Sequence, residues 1–445
     1  MTTDLLTLAA DAIAAARRAG ATAAQALAID GRSLDVGVRE GKVEQLEQSE
    51  AREVGLRIFV GQSSASIAGS VVTPDGLARM AERAVAMAKL APPDPYAGLA
   101  DEADFAKDFP DLDLVSGEAP DAATLKASAL AAEESARAVA GVTKSGGSGA
   151  SYSDRALAFV TSNGFSGAFR RSGASISATA ISGEGTGMER DYDYSSAIYW
   201  SDLLGPEDIG RSAGERAVRR ANPRKIDSQA APVIVDRRVS GSLVGHLVSA
   251  ASGSAVARGM SFLKDKRGEQ IFAKGITIRD DPLRRRGLAS RPFDGDGLPS
   301  QTLDLVSDGV LVNWLLDLHS ARQLGLRSTG NCARSMAGGG GPSPTNIHMK
   351  PGPLSPADLM ADIKSGLLIT SFIGSGGNPV TGDYSRGASG FWIENGKIGD
   401  PVSEITVAGR LQDMFLTIVP ANDLEFRSSM NAPTCRVEGL TLGGR

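Results

Sequence analysis

Residues 23–70 read AAQALAIDGRSLDVGVREGKVEQLEQSEAREVGLRIFVGQSSASIAGS. Apolar and polar residues partly alternate in AAQALAI, SLDVGVRE, KVEQLEQ, EVGLRIFV and SSASIAGS, the period of side chains that point to opposite faces of a strand. Asp30-Gly31, Glu40-Gly41 and Gly61-Gln62 separate these segments, and such pairs supply the backbone freedom that tight turns require. The stretch predicts an antiparallel meander. A helix precedes it: Leu5, Leu8, Ala9, Ile13 and Ala16 recur at helical spacing, Thr3 can cap the start and Gly20 can end it. Another follows, opened by Thr73-Pro74 and closed by Pro92-Pro93, with Leu77, Met80, Ala84, Met87 and Ala88 along one face. Helices laid on an antiparallel sheet give an α+β arrangement.

At 445 residues the chain exceeds one compact core, since a domain takes about 150 residues. Residues 91–120 are rich in Pro, Asp and Ala and read as a loop or linker, after which Asp121 caps an Ala-rich helix running to about Ala140. A hairpin is expected around Asn163-Gly164, and a helix over 206–221. Asn222-Pro223-Arg224-Lys225 marks the boundary between halves. Beyond it, 231–236 (APVIVD) predicts a short buried strand, 239–257 a helix and 356–365 a modest helix, among strands, turns and Gly-rich loops. The expected domains are an N-terminal α+β unit, 1–222, with a further break at 91–120, and a β-rich C-terminal unit, 232–445, barrel- or sandwich-like.

The formal charge of −5 and a pI near 5.5 leave no broad basic field to neutralise a nucleic-acid backbone, so direct binding to DNA or RNA is not expected. Cys332 and Cys435 form neither a disulfide framework nor a CxxC pair, which fits a reducing compartment. The N-terminal 21 residues place an acid before their apolar stretch and arginines after it, the reverse of a secretory signal's charge order. No apolar run of about 18 residues is present to span a membrane. A cytoplasmic location is the expectation.

Histidine, the usual base near neutral pH and the commonest metal ligand, occurs only as His246, His319 and His348, and no two form a local ligand pair. They read as structural histidines unless distant residues assemble a site. No GxSxG elbow supports a Ser-His-Asp triad. Asp294 and Asp296 in PFDGDGLPS lack the ligand order of a calcium loop and read as two Asp-Gly turns. Arg284-Arg285-Arg286 reads as a solvated face. Residues 370–396, TSFIGSGGNPVTGDYSRGASGFWIENG, contain seven glycines but no phosphate-loop spacing. Asn378, Thr381, Asp383, Tyr384, Ser385 and Arg386 nevertheless set hydrogen-bonding groups on a Gly-bent backbone. They form either tightly packed turns or a loop that docks on a peptide or partner.

Several long stretches resemble the PmbA/TldE family, one half of the TldD/TldE proteins. They are SFLKDKRGEQIF (261–272), ITIRDDPL (276–283), RPFDGDGLPSQ (291–301), GVLVNWLLDLHSARQLGLRSTGN (309–331), the segment 370–398 and PVSEITVAGRLQDM (401–414), with VGLRIFVGQSSASIAGS (54–70) the clearest piece of the first half. The resemblance implies a cytoplasmic two-domain protein paired with a similar chain. In the TldD relatives an HExxxH motif and a late Cys hold zinc, with the Glu serving the water in peptide hydrolysis. Aligned without gaps on GMSFL (259–263), the segment puts Val244, Gly245 and Ser249 where His, Glu and His would stand, and His246 falls between them. Cys435 lies out of register with the late Cys. The family's association with a modulator of DNA gyrase and with microcin maturation is not legible in these residues.

The resemblance therefore points to a metal-free partner subunit of a TldD/TldE-type zinc metallopeptidase complex that degrades or processes unfolded peptides. The expected set is no catalytic residue, metal or cofactor in this chain and zinc in an HExxxH-bearing homologue. His246, Asn378, Asp383, Tyr384, Ser385 and Arg386 are the candidate contacts to peptide or partner, and a homodimer is the expected state without the homologue. The alternatives are a peptidase in its own right, built around His246, Ser385 and Arg386, and a stand-alone peptide-binding adaptor.

Overall fold

A computed structural model describes residues 2–445. The first sheet is a six-stranded antiparallel half-barrel in the order β3-β2-β1-β4-β5-β6. Its strands are β1 (Ala23–Arg39), β2 (Lys42–Val60), β3 (Ser63–Gly69), β4 (Val142–Thr161), β5 (Ser166–Ser182) and β6 (Glu189–Ala197). Alternation along β1 decides what each face meets. Ala24, Ala26 and Ala28 pack under α1 (Thr2–Arg18) and α2 (Pro74–Leu90). Val36 and Val38 meet α3 (Ala122–Ala138) and α4 (Pro206–Arg220) further along the same face. Leu27 and Ile29, on the opposite face, pack with Phe105, Phe159, Phe165, Phe293 and Met336.

The expected turn at Asp30-Gly31 does not form. Gly31 pairs with Ala51 of β2 on one side and Arg155 of β4 on the other, so the ladder runs on and five expected strands become three. Pairing on both sides outweighs a local turn preference. The turns at Glu40-Gly41 and Gly61-Gln62 do form. Helix α1 begins at Thr2, which puts Thr3 inside its first turn rather than at the cap. The Thr73 and Asp121 side chains cap α2 and α3, accepting from Gly76 N and Thr124 N. Met87 turns outward and is 41% exposed.

Residues 91–120, expected as a loop or linker, form a loop strapped against both halves. Its Ala106 N donates to Gly297 O at 2.9 Å, and Asp94 meets His319 Nε2 at 2.8 Å. The run Arg284-Arg285-Arg286 is not a free solvated face either. Arg286 bonds Asp113 and Asp202 and lies over the Tyr199 ring, while Arg284 stacks on Phe426. Through Asp113, Arg286 clamps the strap.

The second half opens with β7 (Gln229–Val235), α5 (Arg237–Ala250) and α6 (Gly253–Ala257), so the single helix expected over 239–257 is broken at Ala251-Ser252. Short strands follow: β8 (Ile278–Asp280), β9 (Leu303–Ser307), β10 (Val310–Leu311), β11 (Cys332–Ala333), β12 (Gly341–Pro342) and β13 (Ile347–Met349). After α7 (Leu318–Leu324) and α8 (Pro356–Met360) come β14 (Ser365–Ile373), β15 (Asp383–Glu394) and β16 (Lys397–Arg410). The chain ends with α9 (Leu411–Thr417), β17 (Val419–Pro420), β18 (Met430–Asn431) and β19 (Cys435–Gly443). β8, β9, β10, β13 and β18 form a small sheet, while β16, β15, β14, β7 and β19 run in order and β16 pairs back onto β19, closing a five-stranded barrel. Val233, Val235, Leu367, Ile369, Val407 and Leu442 share a core with Leu243, Val244 and Leu247 of α5.

Asp294 and Asp296 do lie in a turn, with Gly297 N donating to the Asp294 carbonyl at 3.1 Å, and both are buried. Asp294 accepts from the Asp296, Leu298 and Cys332 amides, and Asp296 from Arg334 and Leu318 N. Burial, then the neighbouring Asp296 charge, pushes the Asp294 carboxyl up to about 7.

Gly390 in β15 sits where a Cβ would strike the Leu368 carbonyl of β14, at a shift in their register. Gly390→Ala is expected to lower unfolding free energy by about 3 kcal/mol, read as a reduced urea midpoint at unchanged slope.

Candidate binding cleft

Between the two halves lies a cleft of 280 Å³ whose walls come from β6, the start of α5, Phe372 and Arg386 of the β14–β15 hairpin, and the segment 425–431. Strand β6 reads ERDYDYSSA, and its alternation puts Asp191 and Asp193 on one face and Tyr192 and Tyr194 on the other. The two rings stack with centroids 6.3 Å apart. Arg238, in the first turn of α5, bonds Asp191 at 2.6 Å and the Tyr192 carbonyl at 2.9 Å, and its guanidinium lies over the Tyr192 ring. Arg427 repeats this one step along, bonding Asp193 at 2.8 Å and the Tyr194 carbonyl, over the Tyr194 ring. Asn431 knits the turn that carries Arg427, accepting from Arg427 N and Ser428 N. Arg237 pairs with Glu425 at 3.0 Å. Burial would raise the Asp193 carboxyl, but the Ser212 hydroxyl, Arg216 and Arg427 outweigh it and hold it below the usual range.

Of the residues expected from sequence, His246, Tyr384 and Arg386 come together. The His246 and Tyr384 rings meet edge to face with centroids 5.4 Å apart. Gly377 permits this, because a Cβ there would stand 2.5 Å from His246 Nδ1. Arg386 donates from Nε to the Gly374 carbonyl at 2.6 Å and stacks on Phe372 at 4.3 Å. His246 Nε2, the Tyr384 hydroxyl and Arg386 Nη1 are all buried without a hydrogen-bond partner among the described residues. Burial, then the Arg386 charge, lowers the His246 imidazole to about 4, and burial raises the Tyr384 phenol to about 12.

The other three expected residues do not join them. Ser385 is exposed on the opposite face of β15 from Tyr384, so it does not pair with His246. Asn378 closes its own turn, accepting from Val380 N at 2.9 Å, and Asp383 accepts from Thr381 Oγ1 at 2.7 Å. Sequence reading missed Tyr192, Tyr194, Arg237, Arg238, Phe372 and Arg427. The doubled Asp-Tyr of β6 was the available signal, and the arginines that answer it lie far along the chain.

The same two-part architecture, a half-barrel followed by a small closed barrel, defines a class with solved members. A protein from Bacteroides thetaiotaomicron, described as a candidate modulator of DNA gyrase, superposes with a TM-score of 0.90 at 28% identity, over 99% of this chain and 98% of that one. TldE from Thermococcus kodakarensis has the same fold, with a TM-score of 0.87 at 19% identity over 98% of this chain and all of that one. Family models for the PmbA/TldA metallopeptidase domain 1, central domain and C-terminal domain match residues 24–88, 116–221 and 228–444. Metalloprotease PmbA of Escherichia coli O157:H7 is 36% identical over 415 residues, covering 93% of this chain and 90% of that one. The chain belongs to the PmbA/TldE family, within the PmbA/TldD metallopeptidases.

A metallopeptidase needs a donor set for its metal, and the residues expected from the sequence at the place of that set do not fit one. Val244 is buried in the barrel-side core, Gly245 offers no donor and Ser249 gives its hydroxyl to the Gly245 carbonyl at 3.0 Å. Burial pushes the Cys435 thiol up, away from the thiolate a metal takes, and it donates to the Pro433 carbonyl at 3.2 Å. Among the described residues no three His, Cys, Asp or Glu side chains gather in metal-holding geometry.

The lowered His246 pKa has a definite sign. The unfolded chain takes up a proton near pH 6.5 and the folded chain only near pH 4, so this contribution is whole above pH 6.5 and is lost as pH falls towards 4. His246→Gln removes the term. The wild type should lose about 2 kcal/mol more than the variant between pH 7.5 and pH 5, measured by denaturant unfolding at both values.

Proposed function

We propose that this chain is the metal-free subunit of a TldD/TldE-type zinc metallopeptidase complex that degrades or processes unfolded peptides in the cytoplasm. Its units 1–222 and 232–445 serve as the two domains, and an HExxxH-bearing homologue supplies the zinc. The observation that carries this reading is helix α5. Val244, Gly245 and Ser249 stand where the catalytic ligands of the family are expected, and they offer a core methyl pair, no side chain and an already committed hydroxyl. The cleft beside that helix is polar and aromatic, a surface suited to holding an extended chain rather than breaking it.

Purified alone, the chain is expected to carry no stoichiometric zinc and to cleave no unfolded peptide. Mixed with its HExxxH homologue, it should form a stable complex, seen by native mass spectrometry, whose cleavage stops on adding a chelator. Stoichiometric zinc and chelator-sensitive cleavage in the chain alone would overturn the proposal.

A further inference from the structure

Among the described residues, Arg386 is the one cleft-lining arginine whose charge the fold leaves unanswered. Glu189, Asp191, Asp193 and Glu425 are all taken by Arg216, Arg220, Arg237, Arg238 and Arg427. No carboxylate among the described residues lies within ion-pair distance of Arg386, although the others lining the cleft each have one. Its polar contacts are spent on a single carbonyl, that of Gly374, and its flat face on Phe372. The two polar side chains packed with it cannot supply the missing charge. Burial keeps the Tyr384 phenol protonated and the His246 imidazole neutral at physiological pH. A part-buried guanidinium in this condition lacks an anion.

The surroundings narrow which anion. With Nε bonded to the Gly374 carbonyl and Nη1 buried, Nη2 is the Arg386 nitrogen left to meet a carboxylate oxygen. Glu425 lines the same cleft and opposes a doubly charged group such as a phosphate. Tyr192, Tyr194 and Phe372 add aromatic walls that suit an amino-acid side chain. We infer that the cleft holds a carboxylate of a peptide against Arg386, with a neighbouring residue of that peptide between the aromatic rings. This rests on the reading of the chain as a peptide-binding subunit and adds the chemical group it selects. The carboxylate is either a peptide C-terminus or an acidic side chain, and the same recognition serves both.

The test uses the full-length chain and a peptide of four alanines ending in glutamate, titrated calorimetrically at low salt. Three further peptides carry the amidated C-terminus, glutamine in place of glutamate, or both changes. The fully acidic peptide should bind, and removing the carboxylate that Arg386 reads should weaken binding at least about tenfold; whichever single change does so identifies the source. Arg386→Met should bind the acidic peptide as weakly as the wild type binds the neutral one, and should no longer distinguish them. Absence of binding by the acidic peptide, equal binding of acidic and doubly neutral peptides, or a folded Arg386→Met chain that keeps the preference would overturn the inference. The peptide series needs no altered protein, so it decides the matter even where the variant fails to fold. Assembly with the HExxxH homologue, scored separately, tells the two proposals apart: a chain that assembles but ignores the carboxylate fails only here, and one that reads the carboxylate but never assembles fails only as a subunit.

Discussion

Two carboxylates on one face of one strand organise the meeting of the halves. Asp191 and Asp193 are buried on β6, and burying a carboxylate costs several kcal/mol unless charge and hydrogen bonds answer it. Here the answer comes from Arg216 and Arg220 of α4 on the near side and from Arg238 and Arg427 on the far side. The far pair ties the first turn of α5 and the 425–431 segment to β6, and each of its guanidiniums also covers a tyrosine ring on the strand's other face. The cleft is the space these bonds hold open. Exchange of Asp191 would leave Arg238, and exchange of Asp193 would leave Arg216, without a counter-charge, so the interface and the cleft depend on the same two acids.

This dependence separates what the sequence disclosed from what it hid. Helix ends were legible because their signals are local: Thr73 before Pro74 and Asp121 before an Ala-rich run cap α2 and α3 through their own side chains. The hairpin at Asn163-Gly164 and the buried strand in APVIVD were legible for the same reason. Asp30-Gly31 misled because its fate is decided by Ala51 and Arg155, on two other strands. The pinning of the 91–120 loop was hidden because Pro and Asp look the same in a free linker as in a segment held by His319, Gly297 and Arg286. Short helices α7 and α9, of seven residues each, carry too few turns for a period to show.

The site divides along the same line. His246, Tyr384 and Arg386, which pack together, stood out in the sequence because two of them share one short Gly-rich segment and the other is a rare histidine, while strand alternation turns Ser385 and Asp383 away. Arg237, Arg238 and Arg427 could not be seen, since 47 Lys and Arg residues are scattered along the chain and nothing local marks the three that join Arg386 at the cleft.

The bond between Asp193 and Arg427 spans 234 residues of sequence. A chain synthesised from its N-terminus completes the first sheet and its four helices long before Arg427 leaves the ribosome. Until then β6 presents two acids with only their α4 partners. Ligand-reading competence therefore arrives last, with the final strands, and a prematurely terminated product would be a folded first half with an acidic scar where its cleft should be.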